Sequence, residues 1–134
     1  MKLIHVYLPF LLFAALVISS CSKSKPHQPD LDPQKAILGK WEVIEAGGHS
    51  YNSSGYSEYS PDSIVRFYDY TEGRFTSQTP YWLTDSILYR GIYVDGVFQG
   101  NQYKYHFFDN NNKLRLEFHE VLPIISVWVY KRIK

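Results

Sequence analysis

Residues 103–118 have the sequence YKYHFFDNNNKLRLEF, which decides the fold class of this chain. On both sides of Asn110-Asn111, apolar and polar side chains alternate with the period of two of a half-buried β-strand. Asparagine tolerates positive φ better than most residues, so Asn110-Asn111 predicts a two-residue turn and a β-hairpin. A three-residue turn would place Lys104 and His106 against the apolar set, so the hydrophobic pattern selects the two-residue register. That register pairs Tyr103 with Phe118, Lys104 with Glu117, Tyr105 with Leu116, His106 with Arg115, and Phe107 with Leu114.

The period of two continues through most of the chain after Leu38, and no stretch there holds a convincing helical stripe. Asp95-Gly96 is the strongest short signal for a second hairpin, with a type I′ turn. Further strands are predicted at Lys40–Ala46, Ser63–Asp69, Arg74–Ser77, two short segments within Tyr81–Tyr93, and Ile124–Ile133, whose phase is ambiguous because both faces are apolar. About eight short antiparallel strands predict an all-β fold, a single small up-and-down β-barrel.

Two segments are predicted to depart from this pattern. Pro33–Leu38 predicts a short helical turn, with Asp32 as its N-cap and Gly39 as its stop. Gly47–Pro61 is rich in Gly, Ser and Tyr and has no apolar core pattern, so it is predicted to be a loop of unusual length.

Residues 1–20 have the features of a bacterial secretory leader, or signal peptide. Met1-Lys2 supplies a short positive region, and Leu3–Ile18 is apolar but too short for a comfortable transmembrane span. The boundary Ile18-Ser19-Ser20-Cys21 resembles the bacterial lipobox, in which cleavage leaves an acylated cysteine at the new N-terminus. The alternative is an ordinary signal peptide followed by an incidental cysteine.

The cysteine content agrees with a lipoprotein. Cys21 is the only cysteine, so it cannot form an intramolecular disulfide, and acylation would remove an unpaired thiol from an oxidising compartment. Residues 21–34 are polar and interrupted by prolines, which predicts a flexible tether before a barrel domain at residues 35–134. Lys23 and Lys25 stand where surface-exported lipoproteins carry an acidic run. This favours an outer-membrane protein that faces the periplasm, anchored by lipid without spanning the membrane.

The composition gives no support to a nucleic-acid partner. Removal of the predicted leader takes away Lys2 and leaves 13 of the 14 basic side chains, which equals the number of acidic side chains, 13. Phe, Trp and Tyr together make up 17% of the chain. Such side chains favour strands and concave apolar sites.

The sequence contains no recognisable catalytic or metal-binding constellation. The histidines after the leader are His27, His49, His106 and His119, and no two of them have metal-ligand spacing along one element. A nucleophile elbow, a P-loop and a dinucleotide fingerprint are all absent. We therefore expect no metal, no cofactor and no enzymatic activity.

Two segments of the domain resemble the lipocalin-like lipoproteins of Gram-negative bacteria, within the wider calycin group. Leu38–Val43 (LGKWEV) is similar to the Gly-x-Trp signature of a lipocalin first strand, and Val129–Ile133 (VYKRI) to the terminal strand. Ile64–Phe67 followed by Glu72–Phe75 looks like the second and third strands of such domains. The resemblance implies that Trp41 closes one end of the barrel and that Arg132 packs as a cation over its ring. The alternative is a core tryptophan and a solvated arginine.

The candidate ligand site is the barrel mouth. Tyr51, Tyr56 and Tyr59 lie in the predicted Gly47–Pro61 loop and are candidates for a mobile lid, although tyrosines in such a loop are also ordinary surface residues. Continuing the hairpin phase back from Tyr103 places further polar residues inward.

This inward set adds Arg90, Gln99 and Asn101 beside Tyr103 and Tyr105. Such a polar spot would orient a ligand inside the barrel. The alternative is that Gly91 and Gly100 carry bulges that shift the phase.

The sequence therefore predicts a non-catalytic binding module that holds a small hydrophobic or amphipathic molecule in the cell envelope. One alternative is a structural or interaction protein with a solid-packed barrel, whose outer aromatics such as Tyr93 and Phe98 contact an envelope protein partner. A third interpretation, carbohydrate binding, requires a flat aromatic platform on the surface.

Overall fold

The structure is a computed structural model that describes residues 32–120 and 126–134. Within these residues, a short helix α1 (Pro33–Ala36) precedes nine strands: β1 (Gly39–Ala46), β2 (His49–Ser50), β3 (Gly55–Tyr59), β4 (Ile64–Asp69), β5 (Arg74–Leu83), β6 (Ile87–Val94), β7 (Val97–Phe108), β8 (Lys113–Phe118) and β9 (Val127–Ile133). The predicted leader, Cys21 and most of the predicted tether lie outside the described residues.

The strands form one antiparallel sheet that closes on itself. Their order is β2-β1-β3-β4-β5-β6-β7-β8-β9, and β9 pairs with β1 to complete the ring. Among the described residues, the two-residue strand β2 pairs only with β1, so the ring that they form contains eight strands, each beside its neighbour in the chain apart from β2. This arrangement confirms the predicted all-β fold, with an up-and-down barrel of about eight strands.

Both predicted hairpins are present. The β7–β8 pairs run from Tyr103↔Phe118 to Phe107↔Leu114, which confirms the predicted register. Asn110 and Asn111 have φ of 52° and 60°, in the left-handed region that asparagine tolerates. In the β6–β7 turn, Asp95 and Gly96 also have positive φ, as a type I′ turn requires.

The prediction of a long loop at Gly47–Pro61 is wrong, because this segment contains β2 and β3. The inward positions of β3 are Gly55, Ser57 and Tyr59, so small and polar residues occupy the face where an apolar pattern was expected. Gly55 also packs closely against β4, since a Cβ there would overlap the Tyr68 carbonyl. Composition alone therefore concealed a strand.

Three further details of the strands differ from the prediction or complete it. Arg74–Ser77 and the first half of Tyr81–Tyr93 belong to a single strand, β5, which shifts register against β4 between Phe67 and Tyr68. The bulge proposed at Gly91 and Gly100 is wrong, because these residues pair directly within an uninterrupted β6–β7 ladder. The phase of β9 is settled by its pairing with β1, which directs Trp128, Tyr130 and Arg132 inward.

The predicted helical turn forms α1. Asp32 is its N-cap, and the Asp32 carboxylate accepts a hydrogen bond of 2.9 Å from the Gln34 backbone N–H. Gly39 follows with φ of 109°, a conformation that favours glycine. Within the described ranges, no helix is both long and apolar enough to cross a membrane.

Candidate ligand site at the open end of the barrel

One end of the barrel is closed by α1 and the side chains beneath it. Trp41 is completely buried, and its indole Nε1 donates a hydrogen bond of 2.7 Å to the Ile37 carbonyl. The Arg132 guanidinium lies over the Trp41 ring, with Cζ 4.3 Å from the ring centroid. Its Nη1 and Nη2 atoms donate hydrogen bonds to the carbonyls of Leu38 (2.5 Å) and Ala36 (2.6 Å). Arg132 therefore holds the α1 segment over the Trp41 end.

The middle of the barrel is filled with side chains. Inward residues from many strands form one buried cluster, which includes Ile37, Trp41, Tyr59, Val65, Tyr81, Leu83, Leu88, Tyr103, Leu114, Leu116 and Tyr130. Tyr59 and Tyr81 pack edge to face with ring centroids 4.9 Å apart. This half of the interior is packed like an ordinary core.

The other half of the barrel is open along one side. The β5–β6 ladder runs from Leu83↔Leu88 to Tyr81↔Arg90 and ends there, although β5 extends back to Arg74 and β6 continues to Val94. Beyond Arg90, the inward-phase side chains are no longer covered: Ile92 is 48% exposed and Val97 is 64% exposed. A slot between β5 and β6 therefore begins at the level of Arg90.

Besides Ile92 and Val97, the inward residues of the open half include two further groups. Small polar side chains occupy part of the wall, at Ser57, Ser77, Thr79 and Asn101. Aromatic side chains occupy the opposite part, where Phe118 lies 5.1 Å from Trp128 and stacks on Tyr103 at 4.9 Å. The open half therefore offers both apolar and hydrogen-bonding surface.

Arg90 lies at the floor of this open half. Its Nη2 donates a hydrogen bond to the Tyr59 hydroxyl on the opposite side of the barrel. Its Cζ lies 5.2 Å from the ring centroids of both Tyr59 and Tyr103, within cation–π range. The Arg90 Nε atom is fully buried and has no hydrogen-bond partner among the described residues.

The electrostatics of this cluster favour a charged guanidinium. Burial alone lowers the pKa of Arg90, but the surrounding tyrosines Tyr59, Tyr130 and Tyr103 raise it above its ordinary value. Burial raises the pKa of Tyr59 and of Tyr103, although Arg90 acts in the opposite direction. At neutral pH the cluster therefore contains a cation among neutral phenols, and within residues 32–120 and 126–134 no carboxylate contributes to the pKa of Arg90.

The structure brings together three of the predicted ligand-site residues, namely Arg90, Tyr59 and Tyr103. Gln99 points in the same inward phase but lies near the rim and is exposed. Tyr105 lies nearer the closed end, where its hydroxyl donates a hydrogen bond of 2.8 Å to the Thr84 carbonyl. It is not part of the Arg90 cluster.

The other two tyrosines predicted to form a lid, Tyr51 and Tyr56, lie away from the Arg90 cluster. The segment Gly47–Pro61 therefore does not form a mobile tyrosine lid. Tyr51 follows β2 and is 49% exposed. Tyr56 lies on the outer face of β3 and stacks on Tyr68, with ring centroids 5.0 Å apart. The prediction from sequence does not include Tyr130 among the site residues. Its spacing of two from Arg132 places both on one face of a strand, and this is the signal that could have identified it.

The outer face carries a second aromatic group on β5, β6 and β7. Trp82 stacks on Tyr89 with ring centroids 5.0 Å apart and an interplanar angle of 5°. Tyr93 and Phe98 pack beside Trp82. Rings stacked face to face cover part of each other's faces, as Trp82 and Tyr89 do here.

Metal-ligating residues do not cluster in the part of the chain that the structure describes. No group of three His, Cys, Asp or Glu side chains there is arranged to hold a metal ion. His106 is on the outer face, where its ring stacks on Phe108 at 6.2 Å.

No family model matches the chain, and no curated protein matches it. The function is therefore inferred from the site alone.

Proposed function

We propose that this chain is a lipid-anchored binding protein of the cell envelope, which holds a small amphipathic molecule in the open half of its barrel. The observation that carries this proposal is the asymmetry of the interior. One half is packed and closed by Trp41 and α1, whereas the β5–β6 ladder opens at Arg90 and leaves Ile92 and Val97 uncovered. A barrel built only for stability would continue its core packing to both ends.

The lining of the open half suits an amphipathic ligand. Phe118 and Trp128 supply apolar surface, and the Arg90 and Tyr59 polar groups lie at the floor. Ligand sites are typically concave and apolar, with a few polar groups that fix orientation. The ligand tail would contact the aromatic wall and leave through the slot between β5 and β6.

A probe of hydrophobic sites tests this proposal directly. Full-length protein would be titrated with N-phenyl-1-naphthylamine, a neutral dye that fluoresces in apolar surroundings. Gln99→Trp places a bulky side chain on an inward-phase position at the rim, and we expect it to weaken binding about ten-fold or more. Gln78→Trp is the matched control, because Gln78 is exposed on the outer face of β5.

Two results would contradict the proposal. Absence of dye binding to the unaltered protein would exclude an accessible apolar site of this kind. An equal effect of Gln99→Trp and Gln78→Trp would place the dye outside the barrel mouth. Thermal unfolding of both variants shows whether the fold is retained.

The proposed anchor is Cys21, within the sequence that resembles a lipobox. Diacylation would provide the two chains that stable membrane attachment needs. Cys21→Ala should remove incorporation of radiolabelled palmitate, prevent maturation and release the protein from the membrane fraction. A membrane-bound variant with unchanged processing would refute the anchor, and spheroplast fractionation separates an outer-membrane from an inner-membrane location.

The alternative function, interaction with an envelope protein, is favoured by one observation. Tyr93 is 62% exposed at the edge of the outer aromatic group that includes Trp82 and Phe98. A photo-crosslinking residue at Tyr93 should capture a defined partner, whereas one at Arg115, on another part of the outer face, should not. Equal labelling from both positions would argue against a specific interface.

A further inference from the structure

We propose that the open half of the barrel selects an amphiphile with a single negative charge on its head group, a carboxylate, which binds at the Arg90 guanidinium with the tail directed outward. This inference rests on the proposed function and specifies the chemistry of its ligand. It concerns the groups at the floor of the site, whereas the proposed function rests on the open shape above them.

The Arg90 guanidinium has no acidic counter-ion in the part of the chain that the structure describes. Among the described residues, the side chains of Tyr59, Tyr103 and Tyr130 surround the Arg90 guanidinium, and all three phenols are uncharged at neutral pH. A half-buried cation without an anion is unfavourable, because aromatic rings and hydroxyls replace only part of its hydration. An anionic ligand would remove that deficit.

Arg90 also has one hydrogen-bond donor without a partner among the described residues. Nη2 of Arg90 is engaged by the Tyr59 hydroxyl, but the Nε atom is buried and unpartnered within the described part of the chain. Buried polar atoms in folded proteins nearly always have a partner. The Tyr59 hydroxyl accepts a hydrogen bond from Arg90 and keeps its own proton to donate. A carboxylate oxygen next to Nε would thus satisfy two donors.

The Arg90 guanidinium also lies next to the open side of the barrel. The β5–β6 ladder ends at the Tyr81↔Arg90 pair, so the guanidinium lies where the wall of the barrel begins to open. Above it, Phe118 packs on Tyr103 and contacts Trp128. A head group on Arg90 therefore places the adjoining methylene chain against aromatic side chains.

The charge balance favours a carboxylate over a phosphate. One carboxylate neutralises the single guanidinium, and its planar fork matches the guanidinium plane. A phosphate monoester, with a charge between −1.5 and −2, would leave excess negative charge among buried phenols.

The test compares two ligands with the same tail. Full-length protein in nanodiscs of neutral phospholipid would bind dodecanoate and dodecan-1-ol in competition with the fluorescent dye, with empty nanodiscs as the blank. Arg90→Met should raise the dissociation constant for dodecanoate by about 10- to 100-fold, as expected for a charge-assisted hydrogen bond. The same substitution should change the dissociation constant for dodecanol by less than about three-fold. Arg115→Met is the matched control, because Arg115 is an exposed arginine on the outer face of β8.

A spectroscopic measurement covers the case in which Arg90→Met does not fold. With 13C-carboxyl dodecanoate bound to the unaltered protein, the carboxyl titration should move at least about one pH unit below that of the same ligand in empty nanodiscs. Tyr59→Phe keeps the charge and should reduce this shift. An unshifted or raised titration would overturn the inference without any variant.

The outcomes separate this inference from the function on which it rests. If neither dodecanoate nor dodecanol displaces the dye, the binding function is wrong. If both bind and Arg90→Met affects them equally, the barrel binds amphiphiles but not through a charged head group. If dodecyl phosphate binds more tightly than dodecanoate, an anion site exists and its assignment to carboxylates is wrong.

Discussion

Replacing Arg132 with methionine should open the closed end of the barrel. Arg132 is the last inward residue of β9, and its hydrogen bonds to Leu38 and Ala36 span 94 and 96 residues. Methionine keeps much of the side-chain volume but removes the charge, the cation over Trp41 and all three hydrogen-bond donors, including Nε, which donates to the Asn111 carbonyl at 3.3 Å. The change therefore tests whether these contacts hold α1 in place.

The magnitude follows from the individual contacts. Each hydrogen bond from a charged donor contributes about 1.5–3 kcal/mol, and the contact with the Trp41 ring adds about 0.5–2 kcal/mol. Part of this is offset, because burial disfavours the charge and lowers the pKa of Arg132. Water also reaches this partly exposed end when the arginine is removed. We expect Arg132→Met to lower the free energy of unfolding by about 3 kcal/mol.

Equilibrium unfolding in urea, followed by tryptophan fluorescence, measures this loss. With a urea dependence of about 1.5 kcal/mol per molar, the midpoint should fall by about 2 M. Lys131→Met is the matched control, since Lys131 is the adjacent residue and forms a surface ion pair of 2.9 Å with Glu42. A surface pair contributes about 0–1 kcal/mol, so its midpoint should change little.

The reasoning would be refuted if Arg132→Met lowered the unfolding free energy by less than about 1 kcal/mol, or by no more than Lys131→Met. Arg132→Lys covers the possibility of complete unfolding. Lysine keeps the charge but not the fork of two donors, so its effect should fall between those of the arginine and the methionine.

Two further predictions concern other parts of the barrel. The Tyr70 hydroxyl donates a hydrogen bond of 2.6 Å to the Glu42 carboxylate, which lowers the pKa of Glu42. Because the folded pKa is depressed, this stabilisation is present above the ordinary pKa of 4.5 and disappears as pH falls through the folded value. Urea unfolding of Tyr70→Phe should therefore show a loss of about 0.5–1 kcal/mol at neutral pH and none at about pH 2, and an equal loss at both would contradict it. Gly100→Ala should destabilise the barrel by about 1–3 kcal/mol, because its Cβ would overlap the Arg90 carbonyl on β6; a thermal midpoint matching that of Asn101→Ala, an exposed neighbour, would be inconsistent with this close approach.

The parts of the fold that could be predicted are those in which local signals agree. In the β7–β8 hairpin, the asparagine turn and the alternation between Tyr103 and Phe118 both specify one register, and the structure has that register. Continued back into β6, the same alternation predicts that Arg90 points inward. The structure has this orientation, because the β6–β7 ladder runs past Gly91 and Gly100 without interruption. Arg90 was therefore accessible to sequence reasoning through its neighbours in the hairpins.

The rest depended on contacts between distant strands. Gly55 and Ser57 are inward residues of β3, where Gly55 packs against β4 and Ser57 pairs with Phe67, so the lack of an apolar pattern concealed the strand. The pairing of Tyr59 with Arg90 crosses the barrel between β3 and β6, and no local pattern encodes it. The phase of β9 likewise became defined only through its partner β1.

The ladder between β1 and β9 also has a consequence for folding. It pairs Lys40 with Ile133, so the first strand of the ring cannot complete its hydrogen bonds until the last strand has been made. Closing so long a stretch of chain costs entropy before any contact compensates for it, and topologies of this kind fold slowly. During synthesis, Trp41 would remain uncovered until β9 had been made. The ring therefore closes late in folding. Until it closes, the apolar side chains of β1 stay exposed unless another molecule covers them.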